Sequence, residues 1–175
     1  MRAERDPERL ILIGMMGSGK TTIGRLLAEA TGWPYVDNDE LVRQARGSTA
    51  REVLAADGEH GLRRAESDAL ALALEVPEPA IVGIAAGAVL SHADRDRLRD
   101  AGTVVWLRAD PATLAARAAG AAHRPWLDGD ATAWFERTAA ERDRIYDSLA
   151  DITVDTGRTA PAEAVAEVLR AHPAR

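Results

Sequence analysis

Leu10-Ile11-Leu12-Ile13-Gly14-Met15-Met16-Gly17-Ser18-Gly19-Lys20-Thr21 is the stretch on which the reading of the chain turns. Four apolar residues run straight into a glycine-rich loop, and the residues after it return to helical spacing. Gly14 and Gly19 stand five apart and are followed by Lys20 and a hydroxyl residue, the spacing of a Walker A phosphate-binding loop. Glycines let such a loop turn tightly and bring its N–H groups against phosphate oxygens, where a side chain would block the approach. Lys20 is placed to reach β- and γ-phosphates, the helix behind it adds its positive N-terminal end, and the Thr21 hydroxyl can ligate Mg²⁺. Gly17, Ser18 and Thr22 complete the set expected to line a nucleotide. The alternative, an ordinary glycine turn before a helix, is disfavoured because the loop sits between a strand pattern and a helix pattern.

Outward from the loop, Ile23, Leu26, Leu27 and Ala30 recur at helical spacing, and Gly32 stops that helix ahead of Pro34. A short strand at Tyr35-Val36-Asp37 follows. Asp39-Glu40 open a charged helix to about Arg46, and Ala50 to Ala56 reads as another, with Gly47 and Gly58 as breaks; both read as short surface pieces. Leu62, Ala65, Ala69, Leu72, Ala73 and Val76 make one apolar stripe, which predicts a longer helix packed on a sheet. Strands are predicted at Ala80 to Ile84, Thr103 to Leu107 and Ile152 to Val154, with helices at Asp94 to Ala101, from Asp110-Pro111, at about Thr132 to Leu149, and last around Val165, Val168 and Leu169. Alternation of this kind implies a parallel sheet with helices on both faces and right-handed crossovers.

The composition agrees with a single ordinary globular unit. The chain has 175 residues, 46% hydrophobic and 29% charged, room for one sizeable core and not two. There is no cysteine, which removes disulfides and thiol chemistry and fits a reducing cytosol. No apolar run approaches membrane-spanning length, so a cytoplasmic protein is expected. A net charge of −6 offers no surplus to neutralise nucleic-acid phosphates. Any anionic ligand must therefore be held by a few placed arginines.

Ligands in open α/β sheets bind beyond the carboxyl ends of the strands. There, Asp37 and Asp39 are separated by one residue, so one can serve a Mg²⁺ shell and the other a substrate hydroxyl. A helix cap opening at Asp39 explains that residue equally well. His60, His92, His123 and His172 show no metal-ligand spacing, Ser67, Ser91 and Ser148 lack a nucleophile-elbow context, and Trp33, Trp106 and Trp134 read as packing residues.

From about Leu10 to Leu169 the chain resembles the shikimate kinase family. The resemblance rests on Gly14 to Gly24, on Asp37-Asn38-Asp39, on Leu62-Arg63-Arg64-Ala65-Glu66, on Arg124-Pro125, on Arg142-Asp143-Arg144-Ile145-Tyr146 and on Val154-Asp155-Thr156-Gly157-Arg158. It implies a P-loop NTPase-type three-layer fold: a five-stranded parallel sheet, one kinase domain over 1–175 with its core at about 10–171, and a mobile lid over about 120–131. It implies ATP and Mg²⁺ as cofactors, a small carboxylated acceptor and a monomer. Its site residues carry over as Lys20, Asp39 and the lid's Arg124 for catalysis, and Thr21 and Asp37 for the metal. Arg117 and Arg158 fall near the adenine; Asp39, Arg63, Glu66, Ala86, Gly87 and Arg142 fall on the acceptor.

Where the family carries Gly-Gly-Gly, this chain has Ala85-Ala86-Gly87, and Leu54, Leu62 and Trp126 also depart from its usual residues. The expected reaction is ATP-dependent phosphorylation of a hydroxyl on a carboxylated polyol, with shikimate to shikimate 3-phosphate first. A kinase for another hydroxy acid or cyclitol, or an ATP-binding regulatory protein with a decayed acceptor site, are the alternatives.

Overall fold

The computed structural model describes residues 8–119 and 130–172. Residues 120–129 of the expected lid lie outside these described residues, and Arg124 with them.

Five strands form one parallel sheet in the order β2-β3-β1-β4-β5: β1 (Arg9–Ile13), β2 (Tyr35–Asp37), β3 (Ala80–Gly83), β4 (Thr103–Arg108) and β5 (Ile152–Asp155). β1 is central, paired with β3 through Leu10 to Ile81 and with β4 through Leu10 to Thr103. Its residues are buried throughout, as a strand covered on both faces requires. Strand alternation then sorts the core. Leu10 and Leu12 join Ile81, Val105 and Val154 on the face covered by α1 (Lys20–Thr31) and α7 (Pro161–Ala171). Ile11 and Ile13 join Val82, Val104 and Trp106 on the other face, with α2 (Asn38–Arg46), α3 (Ala50–Glu75), α4 (His92–Ala101), α5 (Pro111–Ala119) and α6 (Ala131–Leu149). Trp106 stacks on Tyr146 of α6, ring centroids 5.7 Å apart.

The helices begin where the local chemistry allows. Thr49 and Glu52 form a reciprocal capping box at the start of α3. Ser91 caps α4, Asp130 caps α6, and Asp110 accepts from Thr113 ahead of Pro111 at α5.

Four expectations are corrected. The two helices anticipated on either side of Gly58 are one helix, α3, kinked at Gly58, whose φ of 68° and ψ of −171° interrupt it without ending it. Nor are α2 and the start of α3 surface pieces, because Leu41, Val42 and Val53 enter the core. In the apolar stripe, Leu72 is 39% exposed and Leu70 is fully buried. The buried arc of α3 is centred on Ala69 and Ala73 and extends toward Glu66 and Leu70, leaving Leu72 on its margin. α6 starts at Ala131, so the end of the segment expected as lid belongs to that helix and its cap.

Phe135 is fully buried and meets Trp134 edge-to-face at 4.9 Å. Phe135→Ala is expected to lower unfolding stability by about 3–5 kcal/mol, read from the urea midpoint at unchanged m-value.

Candidate active site

β1 delivers the glycine loop to the carboxyl edge of the sheet, where the strand order changes direction and a crevice opens. Gly14 has φ 142° and Gly19, the residue ahead of α1, has φ 98° in the left-handed region. A Cβ at Gly14 would stand 2.5 Å from the Leu107 carbonyl and 2.8 Å from Ser18 Oγ, so both conformation and space require glycine there. Lys20 arches back over the loop, its Nζ donating to the Gly14 and Met15 carbonyls at 2.8 and 3.0 Å.

The loop is braced from behind. Thr156, after β5, places its hydroxyl 2.8 Å from the Ser18 carbonyl and 3.1 Å from that of Arg108. Arg117 donates to Gly17 O at 3.1 Å and to Thr156 O at 2.6 Å, tying the phosphate loop to the segment after β5. Arg158, the other residue expected at the adenine, is 90% exposed, pairs loosely with Asp155 at 3.8 Å and does not line the cleft.

On the side expected to hold the metal, Thr21 Oγ1 donates to Asp37 Oδ2 at 3.0 Å. The cap of α2 is Asp37, not Asp39: Asp37 Oδ1 accepts the Asp39 N–H at 2.9 Å. Asp39 lies in the first turn, exposed and lining the cleft. A hydroxyl and a carboxylate beside a phosphate loop fit Mg²⁺, a hard cation that takes one or two protein oxygens together with substrate phosphates. Among the described residues there is no cluster of three or more His, Asp or Glu that would form an all-protein cage.

On the side expected to take the acceptor, Arg63 Nη1 donates to Glu66 at 2.6 Å and Nη2 to Glu59 at 3.2 Å. Burial acts to lower the pKa of Arg63, but the two glutamates outweigh it and the net displacement is upward. Burial raises Glu66 above the ordinary carboxylate range, opposed in part by Arg63 and Arg142. Arg142 is buried and donates to the Ala86 carbonyl at 3.3 Å, as does the Tyr146 hydroxyl at 3.1 Å. The anchoring group at position 86 is therefore a main-chain carbonyl, which alanine supplies as well as glycine. Gly87 differs: its φ of −86° is ordinary, yet a Cβ there would run into the Arg63 guanidinium and the Glu66 carboxylate.

Lys20, Thr21, Thr22 and Asp37 at one end, and Asp39, Arg63, Glu66, Ala86, Gly87 and Arg142 at the other, line one cleft of about 1140 Å³. That volume exceeds what a single small molecule occupies and accommodates a nucleotide beside a second ligand. Glu59, Tyr146 and Thr156 were not assigned to the site from sequence. Glu59 and Tyr146 lie four residues from Arg63 and Arg142 along their helices, a spacing that places them on shared faces, whereas nothing local in the sequence pairs Thr156 with Ser18.

The shikimate kinase family model matches residues 16–172. The chain belongs to the shikimate kinase family. It is 40% identical over 163 residues to a shikimate kinase from Symbiobacterium thermophilum, covering 91% of this chain and 93% of that one. It is 38% identical over 168 residues to one from Moorella thermoacetica, covering 94% and 96%. Among solved structures, a shikimate kinase from Acinetobacter baumannii in complex with shikimate superposes with a TM-score of 0.87 at 27% identity, over 95% of this chain and 93% of that one. Shikimate kinases are ATP-using, Mg²⁺-requiring phosphotransferases, and the chain is a small-molecule kinase of this kind. No helix among the described residues is long and apolar enough to cross a membrane.

Two outcomes follow from the acceptor end. Gly87→Ala is expected to raise the acceptor KM about tenfold, roughly 1.4 kcal/mol, with ATP affinity unchanged in calorimetry. For Glu66, a raised folded-state pKa means that its stabilising contribution is present at low pH and is lost as pH rises through that pKa. Acid therefore does not unfold the protein through Glu66; protonation instead removes the partner of Arg63. The acceptor KM is expected to climb as pH falls through the raised Glu66 pKa while the ATP KM holds, and Glu66→Gln is expected to flatten that limb in a KM-against-pH series.

Proposed function

We propose that the chain phosphorylates shikimate to shikimate 3-phosphate, with the cleft residues acting in the following roles. The observation that carries this reading is the sharing of one cleft by a phosphate loop and a pair of arginines, Arg63 and Arg142, facing it from α3 and α6. Loop N–H groups and Lys20 bind the β- and γ-phosphates, and Arg117 supports the loop beside the adenine. Thr21 and Asp37 hold Mg²⁺, which neutralises charge on the phosphate oxygens. Arg63 and Arg142 grip the acceptor carboxylate by charge-assisted hydrogen bonds, a task suited to the planar guanidinium. Glu66 orients Arg63, and Asp39 contacts the acceptor hydroxyl. Arg124, outside the described residues, steadies charge on the group in transfer. Such a site does little covalent chemistry; positioning and preorganised charge supply the acceleration.

The reading extends to a monomeric, cytoplasmic enzyme without nucleic-acid or membrane partners. The net charge of −6 supports the nucleic-acid part.

The test is ADP release from Mg-ATP with and without shikimate, against quinate and a panel of hydroxy acids. Stimulation by shikimate alone is expected; stimulation only by another acceptor would overturn the substrate, and silence across the panel despite ATP binding would overturn the kinase reading. Lys20→Ala should abolish turnover. Arg63→Ala should raise the acceptor KM far more than that of ATP, and equal effects on both would remove its assigned role.

A further inference from the structure

We propose that Tyr35 is a positioning residue for Asp37, and that its hydroxyl sets how much Mg²⁺ strengthens nucleotide binding. The inference rests on the metal-side role given above to Thr21 and Asp37.

Tyr35 and Asp37 are alternate residues of β2, so their side chains leave the strand on the same face. The Tyr35 hydroxyl donates to Asp37 Oδ2 at 2.8 Å. The same oxygen accepts from Thr21 Oγ1 at 3.0 Å, and the other carboxylate oxygen accepts from the Asp39 N–H at 2.9 Å. Three donors on three elements thus fix the carboxylate. Thr21, by donating its proton to Asp37, has its oxygen lone pairs available for a cation. Tyr35 is one shell further out, holding the group that orients the ligand, the arrangement by which outer partners tune a metal site.

The surrounding residues make room for this ring. Gly24 lies inside α1, where glycine is unfavourable and no unusual backbone angle calls for it. A Cβ there would fall 2.6 Å from Tyr35 Cδ2 and 2.7 Å from Cζ. Gly83, opposite Asp37 in the pairing of β2 with β3, would bring a Cβ 2.6 Å from the Tyr35 hydroxyl oxygen. Two glycines on two elements are shaped around one phenol.

Tyr35→Phe keeps the ring and removes the donor. The measurement is the ADP dissociation constant by calorimetry, in Mg²⁺ and in EDTA, on the full chain, with Asp37→Asn as the companion variant. In Tyr35→Phe, the gain in ADP affinity on adding Mg²⁺ is expected to shrink by roughly tenfold, with affinity in EDTA and the melting temperature of the nucleotide-free protein unchanged. A wild-type Mg²⁺ gain in Tyr35→Phe overturns the inference, as does an equal loss in Mg²⁺ and in EDTA, which would mark the hydroxyl as merely structural. Retention of the full gain in Asp37→Asn would instead overturn the role of Asp37 itself. Each of these results is independent of which acceptor the enzyme uses.

Discussion

A strand buried on both faces has to become a helix within the six residues from Gly14 to Gly19, and the rest of the structure depends on that constraint. The turn cannot be made by ordinary residues. Gly14 lies against the Leu107 carbonyl, and Gly19 takes the left-handed conformation from which α1 departs. Tertiary contacts then hold the loop. Lys20 closes it from the cleft side, while Thr156 and Arg117 hold it from behind. The loop residues from Gly17 to Gly19 and the first turn of α1 line the cleft, and a helix N-terminus there favours a phosphate.

The acceptor end is organised by a different constraint, the cost of keeping charged groups out of water. Arg142 and Glu66 are both buried, and each is tolerated because partners are supplied: the Ala86 carbonyl for Arg142, and Arg63 for Glu66. A buried arginine with remaining donor capacity toward a cleft is a poor contributor to stability on its own account. It is well suited to a carboxylate that arrives from outside and completes the pairing. The same economy explains the loop after β3. Its carbonyl at position 86 accepts from Arg142 and Tyr146 of α6, whereas the absence of a side chain matters at position 87, against the Arg63–Glu66 pair.

Much of this was legible in the residues themselves. Period and punctuation placed the strands and helices, since a strand covered on both faces favours a run of apolar residues and glycine ends α1, α2 and α4. The phosphate loop was legible because its chemistry is local: glycine, lysine and threonine act within one turn of backbone. The kink at Gly58 was not, because a glycine that ends a helix and one that bends it look alike until packing of Val53 and Ala65, on either side of it, into one core decides. The cap of α2 was ambiguous for a similar reason: Asp37 and Asp39 are equivalent as residue types, and only the direction of the Asp37 carboxylate separates them. Arg158 kept its place in the motif order and yet points away from the cleft, since a sequence motif specifies position along the chain and not where a long side chain extends.

By itself, then, the sequence determined the α/β alternation, the phosphate loop and the residue types available for gripping a carboxylate. These follow from periodicity and from backbone conformations that only certain residues permit. What the tertiary structure decided is which of those residues meet. Thr156 reaches Ser18 across 138 positions, Ala86 meets Tyr146 across 60, and Tyr35 finds Gly24 and Gly83 on two other elements. Such contacts arise from the order in which strands pair and helices cover them, which periodicity along the chain does not specify.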